Sequence, residues 1–491
     1  MRRNVIVLVT LIVATAAVAV AVVQARPRSR PIPKGPNIVV IMTDDQTLET
    51  MRFLPQVKNL IQDKGTTFTN YTVSFPNCCP SRATYLTGQY SHNTGVQDNV
   101  PPDGGFAKLK GDQTLPVWLH DAGYVTASVG KYLNTWGDGG QIQAPPGWDR
   151  WYSLIDPSTY HYFDYDISVD GVRTHFGKRP QDYSTDVLAR EAVRFIGARA
   201  NKKRPFFLSF TPLAPHSAAP ETRNGVALAF ALPVPAPRYD HTMPDIQPPE
   251  TASFNQDDIS KLPVDVHRPV MPASTIRYIR TYYEAEVETL RAINDAVTGI
   301  VGALTSTGEL SHTVILFTSD NGLFHGEHRL SGGKYYLYEP AVHLPLFIRG
   351  GPFTAGTTVT QPAGNVDLAP TVLALAGVTQ DKLVMDGRSL IPLVGHPSVG
   401  ADRGYLLENR KAQGKDQTWG IRTTRWKYLE DIHGEKELYD LRADPDEVTN
   451  LAGKAAYATV QAELTKRLHV LRSCAGPTCE GADATSAKPG G

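Results

Sequence analysis

Asn37-Ile38-Val39-Val40-Ile41-Met42-Thr43, followed at once by Asp44-Asp45, is the stretch on which the fold reading turns. Its continuous apolar run, rich in β-branched side chains, predicts a strand buried on both faces, as strands of parallel sheets are. Residues 313–318 repeat the pattern (Thr313-Val314-Ile315-Leu316-Phe317-Thr318) and run into Ser319-Asp320-Asn321-Gly322. Two buried strands thus each deliver carboxylates at their C-terminal ends. Shorter runs at 125–129, 205–210 and 344–348 predict further strands, and helical spacing at 51–64, 185–199 and, most strongly, 276–304 places helices between them. That alternation predicts an α/β fold with a central, mostly parallel sheet flanked by helices. Ligands of such sheets gather at the carboxyl ends of the strands, so the acidic pairs mark where a site belongs.

Outward from these strands, residues 214–272 are rich in proline and polar side chains with little periodicity, and read as a surface excursion that walls a substrate cleft. Beyond Asp386-Gly387-Arg388-Ser389-Leu390 the pattern shifts to short strand-like pieces at 404–408, 418–421, 426–430 and 437–440, then a helix at 455–471. The tail therefore reads as a small antiparallel sheet with one helix. The expected division is a catalytic domain over 37–395, a C-terminal α+β subdomain over 396–480 and a flexible tail over 481–491. At the other end, Arg2-Arg3 precede an apolar stretch over 5–23 that ends near Ala25, and a basic, proline-rich segment follows over 26–36. Residues 1–25 read as a signal peptide, with an uncleaved N-terminal membrane anchor as the alternative, and 26–36 as a linker. The protein is expected to be exported: secreted, periplasmic or at the cell surface. Cys474 and Cys479 are spaced to close a short disulfide, in keeping with an oxidising compartment.

The 491 residues carry 49 basic and 49 acidic side chains, so there is no cationic surplus of the kind nucleic-acid binders display, and no nucleic-acid partner is expected. With 41% hydrophobic and 20% charged residues, the composition also excludes wholesale disorder and a multi-span membrane protein. Any anion site has to be local.

The chemistry concentrates in Cys78-Cys79-Pro80-Ser81-Arg82-Ala83-Thr84-Tyr85-Leu86-Thr87-Gly88. This segment resembles the signature of the type I, formylglycine-dependent sulfatases, Cys-x-Pro-Ser-Arg followed by Leu-Thr-Gly. The resemblance implies an alkaline-phosphatase-like core, a maturation enzyme that converts Cys78 to formylglycine, and a divalent metal, Ca2+ or alternatively Mg2+. It implies metal ligation by Asp44, Asp45, Asp320 and Asn321 together with the modified Cys78. Arg82 would steady the hydrated aldehyde, Lys131 and Lys334 would hold sulfate oxygens, and His216 would act beside the leaving-group oxygen as general acid or hydrogen-bond donor. An all-oxygen cage suits a hard cation and suits a thiolate poorly, whereas a hydrated aldehyde brings two hydroxyl oxygens. One attacks sulfur and the other allows collapse back to aldehyde with loss of sulfate, which is covalent catalysis with its own exit. The three aspartates, three cations and a divalent ion leave a positive surplus matched to a sulfate monoester.

The likeness extends to Asn365-Val366-Asp367-Leu368-Ala369-Pro370-Thr371 and to Glu437-Leu438-Tyr439-Asp440-Leu441. Tyr90-Ser91-His92-Asn93 and Gly130-Lys131-Tyr132-Leu133-Asn134 are similar to N-acetylglucosamine-6-sulfatases, a hint toward a sulfated carbohydrate or small-molecule substrate. One departure is Leu133, where many sulfatases carry a histidine two residues after the first lysine. The same metal and cations also suit phosphoryl oxygens, so a phosphate or phosphonate monoester hydrolase of this superfamily stays open, as does a non-catalytic sulfated-glycan binder should Cys78 be unmodified. Taken singly, Asp44-Asp45 reads as a turn, Lys131 and Lys334 as solvated charges and His216 as a loop histidine. His325-Gly326-Glu327-His328 lacks zinc-protease spacing and reads as structural or substrate-lining.

Overall fold

The computed structural model describes residues 34–219, 222–223, 226–227, 231–410 and 416–483. The expected signal segment, most of the basic linker and residues 484–491 of the expected tail lie outside the described residues. Among the described residues no helix is long and apolar enough to cross a membrane.

A ten-stranded sheet carries the architecture. Its strands are β1 (Asn37–Thr43), β2 (Thr66–Thr72), β3 (Val125–Gly130), β4 (Arg150–Leu154), β5 (Tyr165–Val169), β6 (Val172–Phe176), β7 (Phe206–Thr211), β10 (Thr313–Ser319), β11 (Leu346–Arg349) and β12 (Thr357–Gly364); β8 (Thr222–Arg223) and β9 (Val226–Ala227) form a separate hairpin. The order is β12-β2-β11-β10-β1-β7-β3-β4-β5-β6. The middle, β10-β1-β7-β3-β4, is wholly parallel, and antiparallel pairings appear toward both edges. The sheet is therefore mixed around a parallel centre.

β1 explains why the centre is buried on both sides. Ile38, Val40 and Met42 enter one apolar core, and Val39 and Ile41 enter the other. Truncating Ile41 to alanine is expected to cost about 2–5 kcal/mol, the range for such large-to-small core changes. One core packs under α1 (Cys78–Thr87), α2 (Leu115–Ala122) and α5 (Leu368–Ala376); the other packs under α3 (Ser184–Arg199) and α4 (Ala273–Ser306). In α4, Leu290, Ile293, Val297, Ile300 and Leu304 recur at three- and four-residue intervals, which puts them on one buried face.

β13 (Tyr405–Glu408), β14 (Thr418–Arg422), β15 (Trp426–Asp431) and β16 (Lys436–Asp440) form an antiparallel sheet covered by α6 (Ala458–Leu471). Cys474 and Cys479 are disulfide-bonded beside it. Two details differ from the sequence expectation. The single helix expected over 51–64 is broken into 3-10 (Glu49–Phe53), α (Pro55–Val57) and π (Lys58–Gln62) turns, because Pro55 lacks the amide a continuous helix needs. Residues 481–483, expected in the flexible tail, instead complete α7 (Pro477–Asp483), where Asp483 is buried and paired with Arg388 and Arg403.

Candidate active site

The register of the central strands builds the site. Thr43 of β1 pairs with Ser319 of β10, so Asp44 and Asp320 leave the sheet as neighbours. Asp45 turns back in the left-handed region (φ +66°), which aspartate tolerates better than bulkier residues, and its amide donates to Asp320 Oδ1 at 3.2 Å. On the other side the chain beyond β7 continues until Pro215 bridges Asp44, which delivers His216 beside Asp45. At the end of β3, a Cβ on Gly130 (φ +124°) would lie 2.1 Å from the Thr211 carbonyl oxygen, so glycine lets the chain turn and present Lys131.

Cys78 opens α1, a helix buried throughout, with the Asn77 side chain accepting from its amide at 3.1 Å. Gly88 ends the helix in the left-handed conformation. The fully buried Cys78 Sγ lies 3.3 Å from Asp44 Oδ1, 4.0 Å from Asp45 Oδ1 and 2.9 Å from Lys334 Nζ. One turn further along the helix, Arg82 donates through Nε to Asp320 Oδ2 at 2.8 Å and through Nη2 to Asp44 Oδ2 at 3.2 Å. Lys131 Nζ meets Asp44 Oδ2 and Lys334 Nζ meets Asp45 Oδ1, each at 2.5 Å. Asn321 Nδ2 donates to Asp45 Oδ1 at 2.5 Å and to the Gly322 carbonyl at 2.9 Å. All nine residues singled out in the sequence therefore lie in one connected cluster.

Burial disfavours charge here, and the neighbours decide the outcome. For Asp44 burial opposes ionisation, but Lys131, Arg82 and Lys334 outweigh it and hold the carboxyl well below the usual carboxylate range. Burial pushes the Cys78 thiol up, with Asp44 adding to the effect, so an unmodified Cys78 is a protonated thiol and a weak nucleophile. Burial also raises Asp320 and lowers His216.

Ligand atoms of Asp44, Asp45, Cys78 and His216 all lie within 4.8 Å of one another, the size of a metal site. His216 is an addition to the ligand set read from the sequence. Its Nδ1 is 2.7 Å from the Ser217 carbonyl and takes the hydrogen, which turns the Nε2 lone pair toward Asp45 Oδ2 at 3.4 Å. Two electron-rich atoms facing each other call for a cation or proton between them. Asn321 Oδ1 is a buried oxygen without a hydrogen-bond partner, a second sign that the cluster fits a cation. With Asp320 and Asn321 counted beside Asp44 and Asp45, oxygen donors outnumber the Cys78 sulfur and the His216 nitrogen, which suits a hard divalent ion.

Above the cluster opens a cavity of about 230 Å³ lined by Asp45, His216 and Lys334, by the aromatic rings of Tyr160, Tyr282 and Tyr335, and by others from the same segments. Among the described residues, the excursion over 214–272 contributes only His216 and Ser217 to this lining; the wall there comes instead from the start of α4 and from the chain between Leu323 and Tyr335. Tyr160, which nothing in the sequence marked, lies under Lys131 Nζ at 4.9 Å from its ring centre and tilts against His216 at 5.1 Å. Asn134 donates to the Tyr160 hydroxyl at 2.6 Å, while Leu133 is core. His325 lines the cavity with Nε2 2.6 Å from Glu286 Oε2, whereas His328 is buried against Tyr338 and burial pushes it down to about 3.

The arrangement is a buried acidic and cationic floor beneath an aromatic cleft, suited to a tetrahedral oxyanion on a ring-shaped carrier. The sulfatase family profile matches residues 36–378, and a profile described as N-sulphoglucosamine sulphohydrolase, C-terminal, matches residues 326–474. The chain is 32% identical to N-acetylglucosamine-6-sulfatase of Homo sapiens over 90% of its own length and 86% of that relative. It is 32% identical to an arylsulfatase of Volvox carteri, covering 90% of this chain and 75% of the other. The solved structure of BT4656 in complex with its substrate D-glucosamine-2-N,6-O-disulfate is similar at a TM-score of 0.72 and 27% identity, over 93% of this chain and 100% of that one. With both sheets spanned by these matches and the Cys78 motif at the centre, the chain belongs to the sulfatase family and is a sulfuric ester hydrolase.

Proposed function

We propose that this hydrolase removes sulfate from a sulfated carbohydrate, with 6-sulfated N-acetylglucosamine as the substrate its relatives favour and aryl sulfates as surrogates. The observation that carries the reading is the Cys78 side chain, 3.3 Å from Asp44 and 2.9 Å from Lys334, with Lys334 and the neighbouring Asp45 lining an aromatic cavity. Converted to formylglycine by a maturation enzyme and hydrated, position 78 would supply a nucleophilic hydroxyl and a second one that permits release of sulfate. A divalent ion, Ca2+ in preference to Mg2+, would be held by Asp44, Asp45, Asp320, Asn321 and position 78, supplying charge to the sulfate oxygens. Lys131 and Lys334 bind the sulfate oxygens, Arg82 fixes Asp44 and Asp320 in place, and His216 moves a proton at the leaving-group oxygen. Without an ion three carboxylates balance three cations; the divalent charge creates the surplus that an anionic ester meets.

We further read the protein as exported, with 1–25 as its signal or anchor and with the 37–395 and 396–480 division given above. The deciding experiment measures hydrolysis of N-acetylglucosamine 6-sulfate, p-nitrophenyl sulfate and p-nitrophenyl phosphate alongside the mass of the peptide containing Cys78. Sulfate release with a formylglycine mass is the expected result. A strong phosphate preference would replace it with the phosphomonoester reading, and an unmodified thiol with no turnover would leave only glycan binding.

A further inference from the structure

The Lys334 ammonium reaches Asp45 and Cys78 from a segment with no regular secondary structure. Gly332 and Gly333 have φ of +150° and +79°, and Tyr335, a bulky residue, has φ of +84°. Left-handed backbone at such a side chain costs free energy and persists only where the surroundings impose it. Main-chain contacts hold part of the segment: Tyr335 donates to the Pro76 carbonyl at 3.3 Å, and Phe324 donates to the Gly333 carbonyl at 3.2 Å. The far side is held by the small C-terminal sheet. Asn409, one residue beyond β13 and buried, donates through Nδ2 to the Tyr335 carbonyl at 2.8 Å while its Oδ1 accepts from the Thr418 amide at 2.6 Å. Lys427 of β15 donates to the Leu337 carbonyl at 2.9 Å. Asn409 is itself fixed, since the preceding residue donates its amide to the Ser74 carbonyl at 2.7 Å, on the approach to Cys78.

We propose that Asn409 is a positioning residue for the sulfatase reaction: by gripping the Tyr335 carbonyl from the C-terminal sheet it keeps Tyr335 left-handed and thereby aims Lys334 at Asp45 and Cys78. The statement rests on the reading of Lys334 as a sulfate-binding group. Without the grip, Tyr335 relaxes toward negative φ and the adjacent lysine swings off its target.

The test uses the full-length matured protein and the substitution N409D, which is isosteric, keeps the acceptor for Thr418 and loses the donor. The expected result is a fall in kcat on p-nitrophenyl sulfate of about tenfold to a hundredfold, the scale of an ångström-sized misplacement, with unchanged formylglycine content. Placed in a Y335G background, where glycine adopts the left-handed conformation freely, the same substitution should change kcat by less than about twofold. A purely structural Asn409 would cost the same in both backgrounds, and that equality, or parent-like kcat in N409D, overturns the proposal. Should N409D not fold, N409S is read the same way; unfolding of both also overturns it, because a positioning role leaves the fold standing. A crystal structure of N409D separates this from the functional reading: Lys334 Nζ should have left Asp45 whether or not the parent turns over sulfate esters, and an inactive, fully modified parent would count against the functional reading alone.

Discussion

Asp44 and Asp320 are spaced by the sheet itself: they follow Thr43 and Ser319, which face each other across parallel strands, and the Arg82 guanidinium ties them, Nε on one and Nη2 on the other. Two carboxylates taken from adjacent strand ends in this way are fixed by main-chain hydrogen bonds rather than by side-chain rotamers. Their separation is thus a property of the fold's most buried region.

Asp44→Asn removes the carboxylate shared by Lys131 and Arg82 and leaves those charges short of a partner in a buried place. The expected stability loss is about 3–5 kcal/mol, typical of breaking a buried ion pair, and turnover of p-nitrophenyl sulfate should become undetectable. Thermal melting and steady-state kinetics on the purified variant check both; parent-like melting would refute the network's contribution.

Cys78→Ala should share the loss of turnover but not the loss of stability. It deletes a small side chain from a helix whose other contacts remain, so the fold should survive while hydrolysis stops. A purified variant that melts with the parent yet releases no sulfate is the expected outcome, and retained turnover would reject Cys78 as the reacting position.

Chelation should separate metal from scaffold. Removing a divalent ion leaves three carboxylates neutralised by Arg82, Lys131 and Lys334, so the protein should stay folded and lose activity, with Ca2+ restoring it. Circular dichroism before and after treatment with a chelator, with activity assayed on re-addition of Ca2+ and of Mg2+, reports on both parts. Full activity in the chelated protein would exclude a metal role.

His92 gives a pH dependence remote from the chemistry. Burial disfavours its charged form, but Nδ1 at 3.1 Å from Glu408 Oε2 and Nε2 at 2.9 Å from the Cys474 carbonyl outweigh that and raise it from 6.5 to about 9. A raised histidine contributes stability that is complete below about pH 6.5 and is lost as pH climbs through about 9. The melting temperature should fall over that window in the parent, and His92→Gln should flatten the slope. Equal slopes in the two proteins would show that the pair does not contribute.

Legibility in the sequence followed burial. β1 and β10 were readable because both of their faces are apolar, and the acidic strand ends came with them. The 51–64 segment misled because its apolar spacing survives the interruption at Pro55 while its hydrogen bonding does not. Tyr278 and Tyr282 gave a helical stripe indistinguishable from core, yet both face the cavity. Tyr160 and Asn409 carried no local signal at all, since their value lies in contacts with Lys131 and Tyr335 that only the folded chain creates. His325 reads from sequence as either structural or substrate-lining, and its partner Glu286, buried in the middle of α4, looks there like one more polar helix position.

Cys78 has no surface exposed to solvent, walled in by its own helix and by the strand ends. In this conformation its sulfur is out of reach of a second protein. An enzyme that alters that atom would need the chain before it has folded, or with this helix drawn away from the strand ends.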